Sequence, residues 1–220
     1  RKSLWTLNAV PKRAVYGESL RRFSGQEYRR WEPHRSKLGA AMLRTQNDPA
    51  LLLPQQGETV LYLGAGHGTS VSHLHDHLCG EDNRFNGRLV SVDLAPRCLR
   101  DLTFLAQKRP GLVPVLGDAR RHEAWGVLLP RKVNWLFQDV AQAGQVDIFT
   151  AACRRFLAPG GMGLLSLKAA SERWTGEGEA ALFEEVEQRL NDAGFNVDES
   201  IELAGYEDHH RLFVIHSPEA

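Results

Sequence analysis

The sequence predicts an α/β fold in which helices flank a mostly parallel sheet of seven strands. From residue 59 onward, short apolar runs alternate with runs of helical periodicity, which is the pattern of successive β-α-β units. The last two strand segments are joined only by residues 204–210, too few for a parallel crossover, so we expect the last strand to be antiparallel to its neighbour. Residues 1–50 lack this alternation and predict a small strand-rich appendage, followed by a core domain of residues 51–220.

Local patterns predict the individual elements in order along the chain. In the appendage, a helix is expected from about Ser36 to Leu43, and Pro49 and Pro54 mark the link to the first core strand. The core strands are the short apolar runs at 59–63, 89–93, 113–116, 133–139, 162–168, 196–203 and 211–216. The core helices are the segments at 69–78, 96–108, 145–156 and 179–193. A parallel sheet with one reversed strand at its C-terminal end is more typical of a Rossmann-like methyltransferase than of a dehydrogenase.

The composition argues against several classes of protein. Lysine and arginine total 27 and acidic residues total 27, so the overall charge does not indicate a nucleic-acid partner. The three cysteines lack metal-type spacing, which predicts neither a disulfide framework nor a metal site and indicates a reducing compartment. No apolar run approaches membrane-spanning length and the N-terminus has no signal-peptide pattern, so we expect no membrane partner. Basic residues nevertheless cluster between Arg21 and Lys37, and this cluster is a candidate RNA contact.

A glycine-rich turn follows the first core strand and precedes a helix that begins at Thr69. Glycine lets the backbone approach a ligand closely, and the first turn of a helix offers unpaired N–H groups. The turn therefore predicts a nucleotide-like cofactor. Its spacing, Gly64-x-Gly66-x-Gly68, differs from the G-x-G-x-x-G pattern of dinucleotide sites, which counts against a nicotinamide or flavin enzyme.

Acidic residues end or follow the next three strands, at Asp93, Asp118 and Asp139. Asp93 can accept hydrogen bonds from ribose hydroxyls, and Asp118, with the N–H of Ala119, is placed to face an adenine edge. Because the carboxyl ends of parallel strands meet at one edge of the sheet, these signals favour S-adenosylmethionine as the cofactor. The predicted cofactor-binding residues are Gly64, Ala65, Gly66, Gly68, Thr69, Ser70, Asp93, Leu94, Asp118, Ala119, Asp139 and Gln142.

Motifs along nearly the whole chain resemble those of the fibrillarin family, and most closely its short archaeal type. They are YGE at 16–18, YRRWEPHRSKL at 28–38, VLYLGA at 60–65, GTSVSH at 68–73, GDAR at 117–120, DVAQ at 139–142, SLKA at 166–169 and YEDHH at 206–210. The glycine- and arginine-rich tail of eukaryotic fibrillarins is not present in the sequence, and the expected location is the cytoplasm.

The resemblance implies a methyltransferase that modifies the ribose 2′-hydroxyl of rRNA, and of tRNA in some members, with S-adenosylmethionine as methyl donor. It implies action within a box C/D guide ribonucleoprotein, so the expected partners are the substrate RNA, a guide RNA, a Nop-type scaffold protein and a kink-turn-binding protein. Trp174 is a candidate contact with the scaffold.

The resemblance also implies four catalytic residues, which are Lys37, Asp139, Lys168 and His210. A ribose hydroxyl is a weak nucleophile that must be aligned with the methyl–sulfur bond and relieved of its proton. Lys168 is expected to orient or deprotonate it, with Asp139 orienting that lysine and Lys37 holding the ribose or its phosphate. His210 takes the place of a glutamate in other ribose methyltransferases. The neighbouring His209 leaves open which histidine faces the site, because a shift of one residue reverses the face of a strand.

Three other functions remain open from the sequence. Departures from the family pattern, such as His67 in the glycine turn and a long loop at 80–87, are compatible with a stand-alone ribose methyltransferase that needs no guide RNA. A cofactor-binding scaffold without catalysis would have no reason to retain the four catalytic residues together. A nicotinamide-dependent oxidoreductase would require the other glycine spacing and would give Lys37 and His210 no role.

Overall fold

The computed structural model describes residues 2–129, 131–172 and 178–219, so Trp174 lies outside the described residues. In chain order the strands are β1 (Leu4–Leu7), β2 (Leu20–Phe23), β3 (Gln26–Trp31), β4 (Thr59–Leu63), β5 (Arg88–Asp93), β6 (Leu112–Leu116), β7 (Val133–Gln138), β8 (Leu157–Lys168), β9 (Asn196–Glu202) and β10 (His210–His216). The helices are α1 (Lys37–Arg44), α2 (Thr69–Leu78), α3 (Pro96–Ala106), α4 (His122–Trp125), α5 (Gln145–Phe156) and α6 (Glu179–Asp192).

The main sheet has seven strands in the order β6-β5-β4-β7-β8-β10-β9. The pairs from β6 to β8 are parallel, whereas β10 runs antiparallel to both β8 and β9. The predicted methyltransferase-type sheet with a reversed last strand is therefore confirmed. A separate antiparallel sheet, in the order β1-β3-β2, forms the predicted strand-rich N-terminal segment.

The core fills both faces of the main sheet, because successive residues of a strand point to opposite sides. Leu61 and Leu63 of β4 face the side covered by α5 and α6, whereas Val60 and Tyr62 face the side covered by α1, α2 and α3. Helix α1 lies within residues 1–50, yet its Leu38 is fully buried in the same cluster as Val60. The N-terminal segment therefore shares a core with the main sheet.

Most predicted element bounds agree with the structure within one residue, with three exceptions. Strand β8 begins at Leu157 rather than at residue 162, because Leu157 pairs with Val133 before a register shift that the apolar pattern does not reveal. The helix predicted to reach residue 108 ends at Ala106. Helix α4 was not predicted, since four residues are too few to show helical periodicity.

Arg29 of β3 is fully buried, which corrects its inclusion in the candidate RNA-contacting cluster. Its guanidinium donates to Glu18 Oε1 at 2.6 Å, to Asp76 Oδ2 at 2.8 Å and to Ser72 Oγ at 2.9 Å. Asp76 also accepts a 2.5 Å hydrogen bond from Arg109, so the buried positive and negative charges are paired. This buried charge cluster, Glu18, Arg29, Asp76 and Arg109, fastens the N-terminal sheet to α2, which is the helix that follows the glycine turn.

Cys79, Cys98 and Cys153 are free and buried. Within the described residues, no helix combines the length and the apolar character needed to cross a membrane.

Candidate active site

The glycine turn after β4 lies against the end of β7. Gly64 adopts φ +79°, and a Cβ at this position would lie 2.2 Å from the carbonyl oxygen of Asp139. Only glycine allows the two strand ends to approach so closely. Gly66 also has a positive φ, of +60°, but a Cβ there would meet nothing within 4 Å. The turn is therefore packed against the end of β7 at Gly64 and is open at Gly66. A ligand can contact the backbone at this open position.

The carboxylate of Asp93 is held in a fixed position beside this turn. Its Oδ2 accepts a 2.7 Å hydrogen bond from the N–H of Gly66, and its Oδ1 accepts a 2.8 Å bond from the N–H of Ala95. Each oxygen keeps a lone pair, and the side chain is partly exposed. Asp93 can therefore accept further hydrogen bonds from ligand hydroxyls, as the sequence predicts.

A cleft of about 610 Å³ lies at the carboxyl edge of the sheet. It is large enough for a nucleoside-sized ligand, since such sites usually span roughly 300–1,000 Å³. The predicted cofactor residues that line it are Gly64, Gly66, Asp93, Leu94, Ala119, Asp139 and Gln142. Five predicted cofactor residues do not line it, namely Ala65, Gly68, Thr69, Ser70 and Asp118. Sequence reasoning missed lining residues that carry no distinctive side chain, namely Val92, Ala95, Gly117, Val140 and Ala141.

Asp118 lies next to the cleft and is held by two neighbours. Arg120 donates to its carboxylate at 2.7 Å, and Gln142 Nε2, which belongs to the cleft wall, lies 3.4 Å from Oδ1. The hydrogen bond from Arg120 keeps the pKa of Asp118 well below its usual range. Asp118 therefore stays ionised at neutral pH and accepts hydrogen bonds without changing protonation.

Lys37 and Asp139 form an ion pair at the same edge of the sheet. The Lys37 ammonium lies 3.0 Å from Oδ1 and 3.1 Å from Oδ2 of Asp139, and each side chain is about one-fifth exposed. Lys37 is the first residue of α1, whose N-terminus is capped by Ser36. Ser36 Oγ also lies 2.7 Å from Ser70 Oγ at the start of α2, so it joins Lys37 to the cofactor turn. The sequence places Ser36 at the start of this helix but does not predict its contact with Ser70.

Lys168 and His210 face each other across adjacent strands. They are directly opposed in the β8–β10 ladder, and residues opposed in this way project from the same face of a sheet. The neighbouring Ala169 N–H donates to the carbonyl of His209, so Lys168 and His210 form a non-hydrogen-bonded pair, in which side chains lie closest. His210 Nδ1 donates to the carbonyl of Asp208 at 2.9 Å, which leaves Nε2 as the available ring nitrogen.

His209 does not continue the strand pattern. Its backbone is left-handed, with φ +61°, and its Nδ1 lies 2.5 Å from Glu179 Oε1. Its side chain is thereby engaged with the start of α6. Of the two histidines, His210 is the one paired with Lys168.

The four catalytic candidates lie at one edge of the sheet, at the ends of three adjacent strands and at the start of α1. Asp139, with Lys37 attached, follows β7, Lys168 ends β8, and His210 begins the reversed strand β10. Among the described residues, no cluster of three or more histidine, cysteine or acidic side chains is arranged to hold a metal ion. Lys37 and Asp139 line the cleft, whereas Lys168 and His210 do not line it and lie at the same sheet edge on the next two strands. The edge thus offers a cation, a carboxylate, an amine and an imidazole, which suits proton transfer from a polar nucleophile.

Comparison with known proteins agrees with this geometry. A model of the fibrillarin family matches residues 1–218. The fibrillarin-like rRNA/tRNA 2′-O-methyltransferase of Thermococcus gammatolerans is 42% identical over 214 residues, which are 97% of this chain and 89% of the relative. The structure is similar to Aeropyrum pernix fibrillarin in complex with natively bound S-adenosyl-L-methionine, with a TM-score of 0.83 and 35% identity over 96% of this chain and 87% of that chain.

A fibrillarin/Nop5p complex contains a similar chain, with a TM-score of 0.79 and 29% identity over 96% of this chain and 93% of that chain.

The family model covers residues 1–218 and so includes the N-terminal sheet, the glycine turn and all four catalytic candidates. This chain belongs to the fibrillarin family.

Proposed function

We propose that the protein transfers a methyl group from S-adenosylmethionine to the ribose 2′-hydroxyl of rRNA or tRNA. The proposal rests on a row of polar groups at one sheet edge: the Lys37–Asp139 ion pair in the cleft wall, then Lys168 and His210 on the next two strands. The relative from Thermococcus gammatolerans is named for this reaction, and the structure of the relative from Aeropyrum pernix holds this cofactor.

The residues of the cleft fit S-adenosylmethionine. Asp93 presents fixed carboxylate oxygens to ribose hydroxyls, and the open side of Gly66 admits the ligand next to backbone. Asp118, kept ionised by Arg120, can accept from an adenine amino group, with Ala119 beside it in the cleft wall. When bound, S-adenosylmethionine supplies a methyl group activated by a positively charged sulfur.

The chain itself supplies alignment and proton transfer. Lys168 lies at the exposed end of β8, where its amine can hydrogen-bond the 2′-hydroxyl and, when neutral, accept its proton. His210 Nε2 offers a second acceptor beside it. Lys37 is fixed by Asp139 and can hold the ribose or the adjoining phosphate, which restricts the hydroxyl to the orientation required for in-line attack.

We further propose that the protein works as the catalytic subunit of a box C/D guide ribonucleoprotein, with a Nop-type scaffold, a guide RNA and a kink-turn-binding protein. The similarity to the chain of the fibrillarin/Nop5p complex supports the scaffold. The alternative is a stand-alone RNA ribose methyltransferase, which the departures in the glycine turn leave open. We also propose that the protein acts in the cytoplasm, because three cysteines without a disulfide pattern are typical of a reducing compartment.

Guide dependence is tested by following methyl transfer from labelled S-adenosylmethionine to a target RNA. The full chain is assayed alone and with the guide RNA, the scaffold and the kink-turn-binding protein, and a guide with a scrambled antisense sequence serves as control. We expect label in the RNA only with the complete assembly and the matching guide, because the chain's neutral charge provides little affinity for RNA on its own. Equal transfer without the guide would establish the stand-alone alternative, and no transfer under any condition would contradict both.

A further inference from the structure

The end of β8 is held on one side by a side chain instead of a neighbouring strand. Strand β7 ends at Gln138, which pairs with Leu165, whereas β8 continues to Lys168. On the other side, β10 accompanies β8 to its last residue, where His210 opposes Lys168. The backbone groups of Lys168 that point toward β7 therefore have no strand to pair with, and unpaired backbone groups are unfavourable when shielded from water.

The carboxamide of Gln145 occupies the place of the missing strand. Because Lys168 and His210 form a non-hydrogen-bonded pair, the N–H and C=O of Lys168 point away from β10. Gln145 Oε1 accepts from the N–H of Lys168 at 3.0 Å, and Gln145 Nε2 donates to its carbonyl at 3.1 Å. One side chain thus makes both hydrogen bonds that a continued strand would make.

Gln145 is itself rigidly fixed. It is fully buried at the first position of α5. Its backbone N–H donates to Glu172 Oε2 at 2.7 Å, and its carbonyl accepts from Gln138 Nε2 at 2.8 Å. Glu172 is nearly buried and lies 3.5 Å from the guanidinium of Arg189 on α6. The backbone of Gln145 is therefore anchored to β7 by Gln138, to the segment after β8 by Glu172 and, through Glu172, to α6.

We propose that Gln145 is a positioning residue for Lys168, which sets the direction of the Lys168 side chain beside His210 and thereby the rate of methyl transfer. This inference rests on the proposed function, in which Lys168 aligns or deprotonates the hydroxyl. Gln145 does not line the cleft, so it acts through Lys168 and not by binding the cofactor. A displacement of about 1 Å at a catalytic group can cost roughly 100-fold in rate, so the loss of both hydrogen bonds is expected to slow the reaction without preventing folding.

The test compares Gln145→Met, which keeps the length and removes both hydrogen bonds, with Gln145→Glu and with the control Gln188→Met. Gln188 lies on α6, where its exposed amide donates to Asp192. Single-turnover transfer by the full assembly is measured against pH at saturating cofactor and RNA, with cofactor affinity and thermal unfolding measured alongside. We expect Gln145→Met to slow transfer by roughly tenfold to 100-fold, with cofactor affinity unchanged and the control at the wild-type rate.

The pH dependence of methyl transfer by Gln145→Glu distinguishes a positioning role from a purely structural one. A protonated glutamic acid can donate to the Lys168 carbonyl as the amide does, whereas a carboxylate cannot. The rate of Gln145→Glu relative to wild type is therefore expected to rise as the pH falls. If Gln145→Met does not fold, this ratio alone tests whether Gln145 positions Lys168.

Two results would overturn the positioning role. One is a folded Gln145→Met protein that transfers methyl groups at the wild-type rate. The other is a rate ratio of Gln145→Glu to wild type that is flat with pH. An inactive wild-type assembly would instead contradict the proposed function itself.

Discussion

Replacing Lys168 with methionine is expected to reduce the rate of methyl transfer by about 100- to 10,000-fold, the range that a positioned proton-transfer group contributes. Methionine keeps the length and apolar stem of the side chain and removes the amine. Lys168 does not line the cofactor cleft, so cofactor affinity should stay unchanged. The measurement is single-turnover transfer from labelled S-adenosylmethionine in the full assembly, with cofactor binding determined by calorimetry.

The matched control is Lys132→Met, which removes a lysine from the opposite, amino edge of the same sheet, just before β7. It should transfer methyl groups at the wild-type rate. Lys168→Arg distinguishes charge from proton transfer, because arginine keeps the positive charge but does not lose its proton in proteins. An arginine variant as active as wild type would limit Lys168 to an electrostatic role, and a fully active Lys168→Met would remove it from the reaction.

The buried charge cluster is where a single substitution should cost the most stability. Arg29→Met removes the cation that pairs with Glu18 and one of the two arginines, Arg29 and Arg109, that pair with Asp76. Removal of one member of a buried ion pair typically costs about 3–5 kcal/mol, because the charge left behind is neither solvated nor paired. We expect the free energy of unfolding in urea to fall by about this amount.

The control for this substitution is Arg22→Met on the neighbouring strand β2, where the arginine is exposed. Its free energy of unfolding should stay close to that of wild type, since exposed charges contribute little. The cluster joins the N-terminal sheet to α2, so the Arg29 variant should also lose protection from hydrogen exchange in β1, β2 and β3 first. An Arg29→Met protein as stable as the Arg22 control would contradict the proposed role of the cluster.

The sequence predicts the main sheet well because its strands are apolar runs bounded by turns. The bounds of β4 are predicted to the residue, since five strand-forming residues end at a glycine turn. The sequence also predicts that Asp93, Asp118 and Asp139 lie at one edge of the sheet, because all the carboxyl ends of a parallel sheet meet there. The family resemblance brings Lys37 and Asp139 to one site, although 102 residues separate them. It assigns Asp139 to Lys168, however, whereas the structure pairs the Asp139 carboxylate with Lys37.

Other features depend on three-dimensional neighbours that no local pattern encodes. Arg29 belongs to a cluster of basic residues that predicts an exposed RNA contact. It is buried instead, because its guanidinium pairs with Glu18 and Asp76. The choice between His209 and His210 depends on a single left-handed backbone conformation at His209. The side chain of Gln145 makes the two hydrogen bonds to Lys168 that a neighbouring strand would make. No sequence pattern marks a glutamine at a helix start for this role.

If the groups at this sheet edge act on a ribose hydroxyl, 2′-deoxy substitution at the target nucleotide must abolish methyl transfer. The full assembly is given labelled S-adenosylmethionine and two target RNAs that differ only in that hydroxyl. We predict rapid labelling of the ribose-containing RNA and none of the 2′-deoxy RNA, with both bound equally. Equal labelling of the two RNAs would place the methyl group elsewhere and exclude the ribose hydroxyl as its acceptor.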